Sequence, residues 1–319
     1  MQRSQGATLK KKKPVINRKN LFWAHLKRDA GLYLLLAPAV IYALIFLYRP
    51  MVGVLIAFED YKPTKGIFGS TWVGLKWFNK FLTNYNFSTI FFNTLILSLY
   101  TLLASFPIPI IFALLLNQMR FRRVKKLVQT VSYMPHFISV VVLVGMMNVF
   151  LSPSNGLVNV IIKMMGGQAV YFMGEASLFR HVYVWTAVWQ DMGRTAIIYI
   201  AALTGIEQDQ HEAAMVDGAS KFQRTLYIDL PGIMPTAVIM LILNLGRVMS
   251  VGFEKAYLMQ NPLNLETAEI ISTYVYKVGL LQAQFSLSTA VGLFNSLIGL
   301  VLVLIVNYIA GRLSDTSLF

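Results

Sequence analysis

Cysteine is absent from all 319 residues, which rules out disulfides, thiolate nucleophiles and cysteine-ligated metals and leaves the redox compartment open. Acidic residues are scarce, with 14 Asp and Glu against 28 Lys and Arg. No lysine is followed by Ser or Thr, so a phosphate-cradling loop ending in Gly-Lys-Ser/Thr cannot form. His25, His136, His181 and His211 are scattered without an HExxH pair, which leaves a zinc hydrolase unsupported, and no metal site is expected. There is no GxSxG nucleophile elbow either. Charge of either sign is low, 13% of residues against about 25% in an ordinary soluble domain.

What fills the chain is apolar: 56% of residues are hydrophobic. Much of this lies in runs of about 20 residues, enough to cross a hydrocarbon core of roughly 30 Å as a helix. The runs predict an all-α integral membrane protein with six transmembrane helices. Their bounds are about Leu32–Phe58, Thr89–Leu116, Val128–Leu151, Leu178–Leu203, Gly232–Leu258 and Leu287–Ala310. Pro107 and Pro109 predict a bend in the second. The first run is too long for a signal-peptide core and reads as a retained span. The chain thus divides into a basic arm (1–31), a membrane domain (32–310) and a tail (311–319). Within the arm, Leu21, Phe22, Trp23 and Leu26 form either a short interfacial helix or an incidental cluster in a polar tail.

The placement of the excess positive charge argues for a membrane and against nucleic acid. Lys10 to Lys13 stand in the arm, and Arg120, Arg122, Arg123, Lys125 and Lys126 crowd the gap after the second span. Segments placed inside by a cytoplasmic N-terminus hold roughly twice as many Lys and Arg as the outer loops, and this bias puts both termini in the cytoplasm. The outer loop 59–88 carries turn signals at Pro63, Gly66, Gly69 and Gly74.

The segment Gly205–Pro231 reads GIEQDQHEAAMVDGASKFQRTLYIDLP. Asp209 with Glu212 makes a capping-box pattern that predicts a helix from Gln210. Gly218 suits the left-handed position that ends it. Ser220 with Gln223 repeats the pattern, opening a second helix expected to stop before Pro231. Ala213 and Ala214 give the first helix a smooth surface that a partner's backbone could approach, with Glu212 beside them to pair with an Arg. On these residues alone, a docking site and an ordinary cytoplasmic loop are equally good readings. His211 reads as an exposed helix residue.

Glu212, Ala213, Ala214, Asp217, Gly218 and Ala219, closed by Leu230 and Pro231, resemble the EAA motif of binding-protein-dependent ABC importer permeases. The resemblance implies the type I importer fold across nearly the whole chain, with the first helix acting as a coupling helix on a partner ATPase. It further implies a second permease, expected to be a relative in a heterodimer, two ATP-binding subunits and an extracellular solute-binding protein. This chain would then be no enzyme and hold no cofactor, ATP and magnesium belonging to the partner ATPase. The bacterial plasma membrane would house it. Narrower likenesses run from Tyr33 through LLLAPAVIYALIFLYRPMVGVLIAFEDYKP to WVGLKWF, and through Gly252-Phe253-Glu254, Tyr257-Leu258, TYVYKVGL and QFSLSTAVGLF. These resemble permeases for oligosaccharides of the pectin and alginate type.

Polar residues inside the predicted spans are the remaining signal. Asp191 and Arg194 share a face of the fourth, and Asn244 and Arg247 a face of the fifth. Intramembrane charges are costly and face a protein interior or an aqueous cavity. They are therefore candidates for a sugar path, with Trp185, Trp189 and Tyr257 as stacking surfaces and Glu254 nearby. An ion pair that merely holds helices together accounts for Asp191, Arg194 and Arg247 equally well. The competing classes are a permease for a non-sugar solute, an ATP-independent transporter and a membrane enzyme.

Overall fold

A computed structural model describes residues 28–246, 249 and 252–313. Residues 1–27 of the arm with its aromatic cluster, Arg247 and residues 314–319 lie outside the described residues. The chain divides into two compact units, 1–54 and 55–319.

In the first unit, helix α1 (Ala30–Ala43) continues through a π turn, Leu44–Tyr48, to Arg49–Met51. None of these residues is buried. A helix apolar on every side, with Leu34, Leu35 and Phe46 exposed, is suited to lipid rather than water.

The second unit opens with a short ribbon, β1 (Glu59–Asp60) paired antiparallel with β2 (Thr71–Trp72), followed by α2 (Lys76–Leu82). Gly66 and Gly74 turn the chain there with positive φ. Trp77 Nε1 ties the ribbon to α2 by donating to the Glu59 carbonyl at 2.9 Å. Helix α3 (Phe87–Asn117) follows, with a junction at Phe106 that sets Pro107 in the first turn of its second half, where a missing N–H costs nothing.

The third predicted span is not one straight helix. Its sequence divides between α4 (Arg122–Tyr133) and α5 (Val140–Phe150), and the bent pair turns through 102°. Pro135 sits at the break in a 3-10 turn, Met134–Phe137. It supplies no N–H, and Ser139 caps α5 through the N–H of Val142 at 3.3 Å. Arg122, Arg123, Lys125 and Lys126 of the basic gap thus belong to α4 itself, with Arg120 just before it. After α6 (Leu157–Met164), α7 (Ala176–Thr204) runs unbroken for 29 residues. Gly193 lets α4 lie hard against α7, because a Cβ there would fall on the Ser132 carbonyl.

Helix α8 (Gln208–Val216) precedes α9 (Lys221–Leu245). The span predicted over Gly232–Leu258 thus starts earlier, at Lys221, and ends earlier, at Leu245, and Phe253–Met259 forms a separate helix, α10. Short helices α11 (Leu265–Ala268) and α12 (Ile271–Tyr276) lead to α13 (Phe285–Leu313), which runs on into the segment read as a tail.

Among the described residues four helices are long and apolar enough to cross a membrane, Ala30–Phe58, Phe87–Asn117, Lys221–Leu245 and Phe285–Ile305. The bent α4–α5 pair makes a fifth. Helix α7 is long enough but carries Gln190, Asp191 and Arg194 at its middle. It forms the hub of the core. Its N-terminal half packs Phe179, Tyr183 and Val184 with Leu97, Leu143 and Ala256, and its C-terminal half packs Ala196, Tyr199 and Leu203 with Ala113, Ile233 and Ala237. A third cluster joins Phe81, Ile90, Ile271, Leu287 and Val291.

Candidate functional site

The hairpin between α7 and α9 has well-formed ends. Helix α8 begins after Glu207, which makes no side-chain cap, so Asp209 lies inside the first turn and does not cap it as its spacing with Glu212 predicted. An acidic side chain there still complements the helix dipole. At the other end Gly218 adopts φ +79°. Its N–H donates to Met215 O at 3.1 Å and that of Ala219 to Ala214 O at 2.8 Å, which together satisfy two terminal carbonyls in a Schellman motif. Both bonds of the second capping box form, Ser220 N–H to Gln223 Oε1 at 2.8 Å and Gln223 N–H to Ser220 Oγ at 3.3 Å.

Pro231 does not stop the second helix. The chain passes through a π turn, Thr225–Asp229, and Leu230 stays helical. The wider turn sets the proline near the start of a new α-helical stretch, where its ring and missing N–H are tolerated. Glu212, Ala213, Asp217 and Gly218 are exposed, and Ala214 and Ala219 half-buried. His211 corrects the sequence reading: its side chain is only 20% exposed, and Nε2 lies 3.3 Å from Asp229 Oδ1.

The polar residues of α7 separate into two faces. Asp191 Oδ1 contacts His136 Nδ1 at 2.9 Å and Arg194 Nε at 3.4 Å, and about half of each side chain is open. Nine residues at about 100° each put Arg194 on the side of α7 opposite Trp185. Trp189 lines an apolar cleft with Leu143, Met147 and Phe150. The tryptophans and the charges therefore do not share one wall. Asn244 is exposed near the end of α9, without Arg247 to compare it with.

Three aromatic rings do converge. Phe253 and Tyr257 on α10 stack at 5.5 Å, and Tyr276 of α12 lies 4.9 Å from each. Glu254 is exposed beside them. Phe253 and Tyr276 line a cleft of about 500 Å³ together with Ser272, Ser288 and Asn295. Ser272 Oγ and Asn295 Oδ1 are buried there without a hydrogen bond. Rings of this kind can stack on a pyranose face; the rest of the wall is mainly apolar, with Ile271, Val275, Leu280 and Phe285.

Residues 105–315, about two thirds of the chain, match the family described as "Binding-protein-dependent transport system inner membrane component". The chain belongs to this family. Two relatives in Bacillus subtilis (strain 168) are similar over nearly their full length. LplB is 44% identical, covering 94% of this chain and 95% of its own. YteP, named as a polygalacturonan/rhamnogalacturonan transport system permease, is 43% identical over 90% of each. Among solved structures, a chain of a bacterial ABC transporter that imports the acidic polysaccharide alginate superposes with a TM-score of 0.86 at 40% identity. The match covers 92% of this chain and 99% of that one.

For an inner membrane component of this kind, the family match spans the hairpin, the charged face of α7 and the aromatic cleft alike. Sequence reasoning missed several residues that the fold brings to them. Lys255 is buried and donates to the Tyr183 carbonyl at 2.9 Å, with its ammonium 4.8 Å over the Tyr183 ring. His136 comes from the break between α4 and α5. Pro135 was the available signal for that break; nothing local announced the partners.

Proposed function

We propose that this chain is one of two permease subunits of an ATP-driven importer of oligosaccharides in a bacterial plasma membrane. The carrying observation is the match to the binding-protein-dependent transport family over residues 105–315, and the cleft of Phe253 and Tyr276, with Tyr257 in ring contact, is where a sugar ring would stack. The names of similar proteins, alginate importer and polygalacturonan permease, favour acidic polysaccharide fragments. The charged face is the second part of the path: Asp191 and Arg194 are half open, and a half-open charge at membrane depth faces an aqueous cavity. Trp185 and Trp189 are weaker candidates, since they look away from that face.

The chain crosses the membrane six times in this reading, with the α4–α5 pair as one broken passage and α7 as another. Both termini are cytoplasmic. Helix α8 is the coupling helix, which offers Glu212, Ala213, Ala214, Asp217, Gly218 and Ala219 to an ATPase that binds ATP and magnesium. A solute-binding protein delivers the oligosaccharide from outside. The decisive measurement is ATP hydrolysis by the reconstituted transporter with binding protein, supplied in turn with pectin-derived and alginate-derived oligosaccharides. Stimulation by one set is expected. No stimulation by any saccharide, with hydrolysis responding to a non-sugar solute, overturns the substrate class.

A further inference from the structure

One buried charge has no part in docking or in the sugar path. Asp229 has 1% of its side chain exposed and closes the π turn at which α9 leaves the hairpin for the core. A carboxylate removed from water needs partners, because burying an unpaired ion is strongly unfavourable. They come from two other elements. Gln118, at the inner end of α3, donates through Nε2 to Asp229 Oδ2 at 3.0 Å and to Thr225 Oγ1 at 2.8 Å. His211 of α8 brings Nε2 to 3.3 Å from the other oxygen, an ion-pair distance without hydrogen-bond alignment. Arg224, whose Nε is also buried without a hydrogen bond, stands just before the same turn.

The rest of α8 makes this contact informative. Of Gln208–Val216 only His211 and Ala214 are withdrawn from solvent. The covalent route from α8 to α9 passes through Gly218, whose left-handed backbone has open space around it. The Schellman bonds and the capping box fix this turn but reach no further than Gln223, so a second tie is needed to couple α8 to the chain beyond the π turn.

We propose that His211 and Asp229 are positioning residues which form that tie, with Gln118 extending it to α3. A displacement of α8 then reaches both α9 and α3 instead of being absorbed short of the π turn. This inference rests on the reading of α8 as the docking helix. The carboxylate is the hub because it belongs to α9 and meets both Gln118 and His211, and a π turn is a common way of placing such a residue at a functional site.

The test uses the reassembled transporter, with spin labels attached at V216C and L115C of the naturally cysteine-free chain before the ATPase subunits are added back, both positions being exposed in the chain without them. Pulsed electron resonance reads the α8–α3 distance without nucleotide and after trapping with ATP and vanadate, and needs no sugar. A single narrow distance, the same in both states, is expected for the native pair. His211→Ala and Asp229→Asn should each broaden it and make it nucleotide-dependent. In parallel, oligosaccharide carried per ATP hydrolysed should fall about 5-fold or more, the lower range of an allosteric coupling, while the ATPase still co-purifies. His211→Gln, which keeps an N–H donor near Oδ1, should recover part of the loss, and it carries the test if Asp229→Asn fails to fold. Narrow distances in both variants, or native coupling in His211→Ala, overturn the tie. Glu212→Ala separates the two readings: if it loses the ATPase while the His211 variants stay native, docking stands and the tie fails. If Glu212→Ala and His211→Ala both assemble and transport normally, the docking reading has failed first.

Discussion

At the scale of single residues, the informative positions are polar groups in apolar surroundings, and their partners decide what they do. Asp191 is in contact with both His136 and Arg194, yet each side chain remains about half exposed. Exposed pairs of this kind contribute roughly 0–1 kcal/mol. Asp191→Asn should therefore leave the melting temperature near native and shift the sugar dependence of ATP hydrolysis. A double-mutant cycle with His136→Ala should return a coupling below about 1 kcal/mol. A coupling of several kcal/mol with unchanged sugar dependence would make the pair a structural clip. The sequence showed Asp191 and Arg194 to be unusual because charges are rare at the middle of a span. The same spacing, nine residues at about 100° each, already set Trp185 on the other side of the helix from Arg194, which grouping them in one path overlooked. His136 and Lys255 were illegible for a different reason: their partners lie 55 and 72 residues away.

Helices and turns were more legible, though not every local signal held: Asp209 with Glu212 made no capping box, because α8 starts before Asp209. Gly218 and the Ser220–Gln223 box are set by backbone and side-chain geometry within four residues, and both formed as the sequence indicated. Pro135 and Pro231 each acted through their surroundings instead. One broke a span that composition alone reads as continuous, and the other was absorbed by a wider turn. The EAA hairpin makes an element-scale prediction. Glu212→Ala should weaken co-purification of the ATPase while the protein stays in the membrane. Gly218→Pro should do so more strongly, since proline holds φ near −65° and the position requires +79°. Native transport by both variants with a normally assembled complex would remove α8 from the docking role.

The whole molecule was readable in class and in outline because hydrophobic length is a property of composition, which no tertiary contact can alter. The orientation rests on basic charge, and the absence of cysteine allows a direct measurement. Phe68, in the ribbon loop, and Val216, at the end of α8, are highly exposed, whereas Ser220 is engaged in its cap. An impermeant maleimide should label F68C in intact cells, and V216C only in inverted vesicles stripped of ATPase subunits. Labelling of V216C from outside would reverse the topology.

The π turn Thr225–Asp229 has a consequence for how the two ends of α9 are timed against each other. It holds one residue more than an α turn, so the helix enters the core about 100° out of phase with its own beginning. The stretch Lys221–Thr225, which shares a cleft with Leu114, Leu115 and Gln118, and the stretch that buries Ile233 and Ala237 can each choose its best-facing side chains independently. A single-residue deletion between them would leave a longer and more regular helix, and in that helix one of the two faces would point the wrong way.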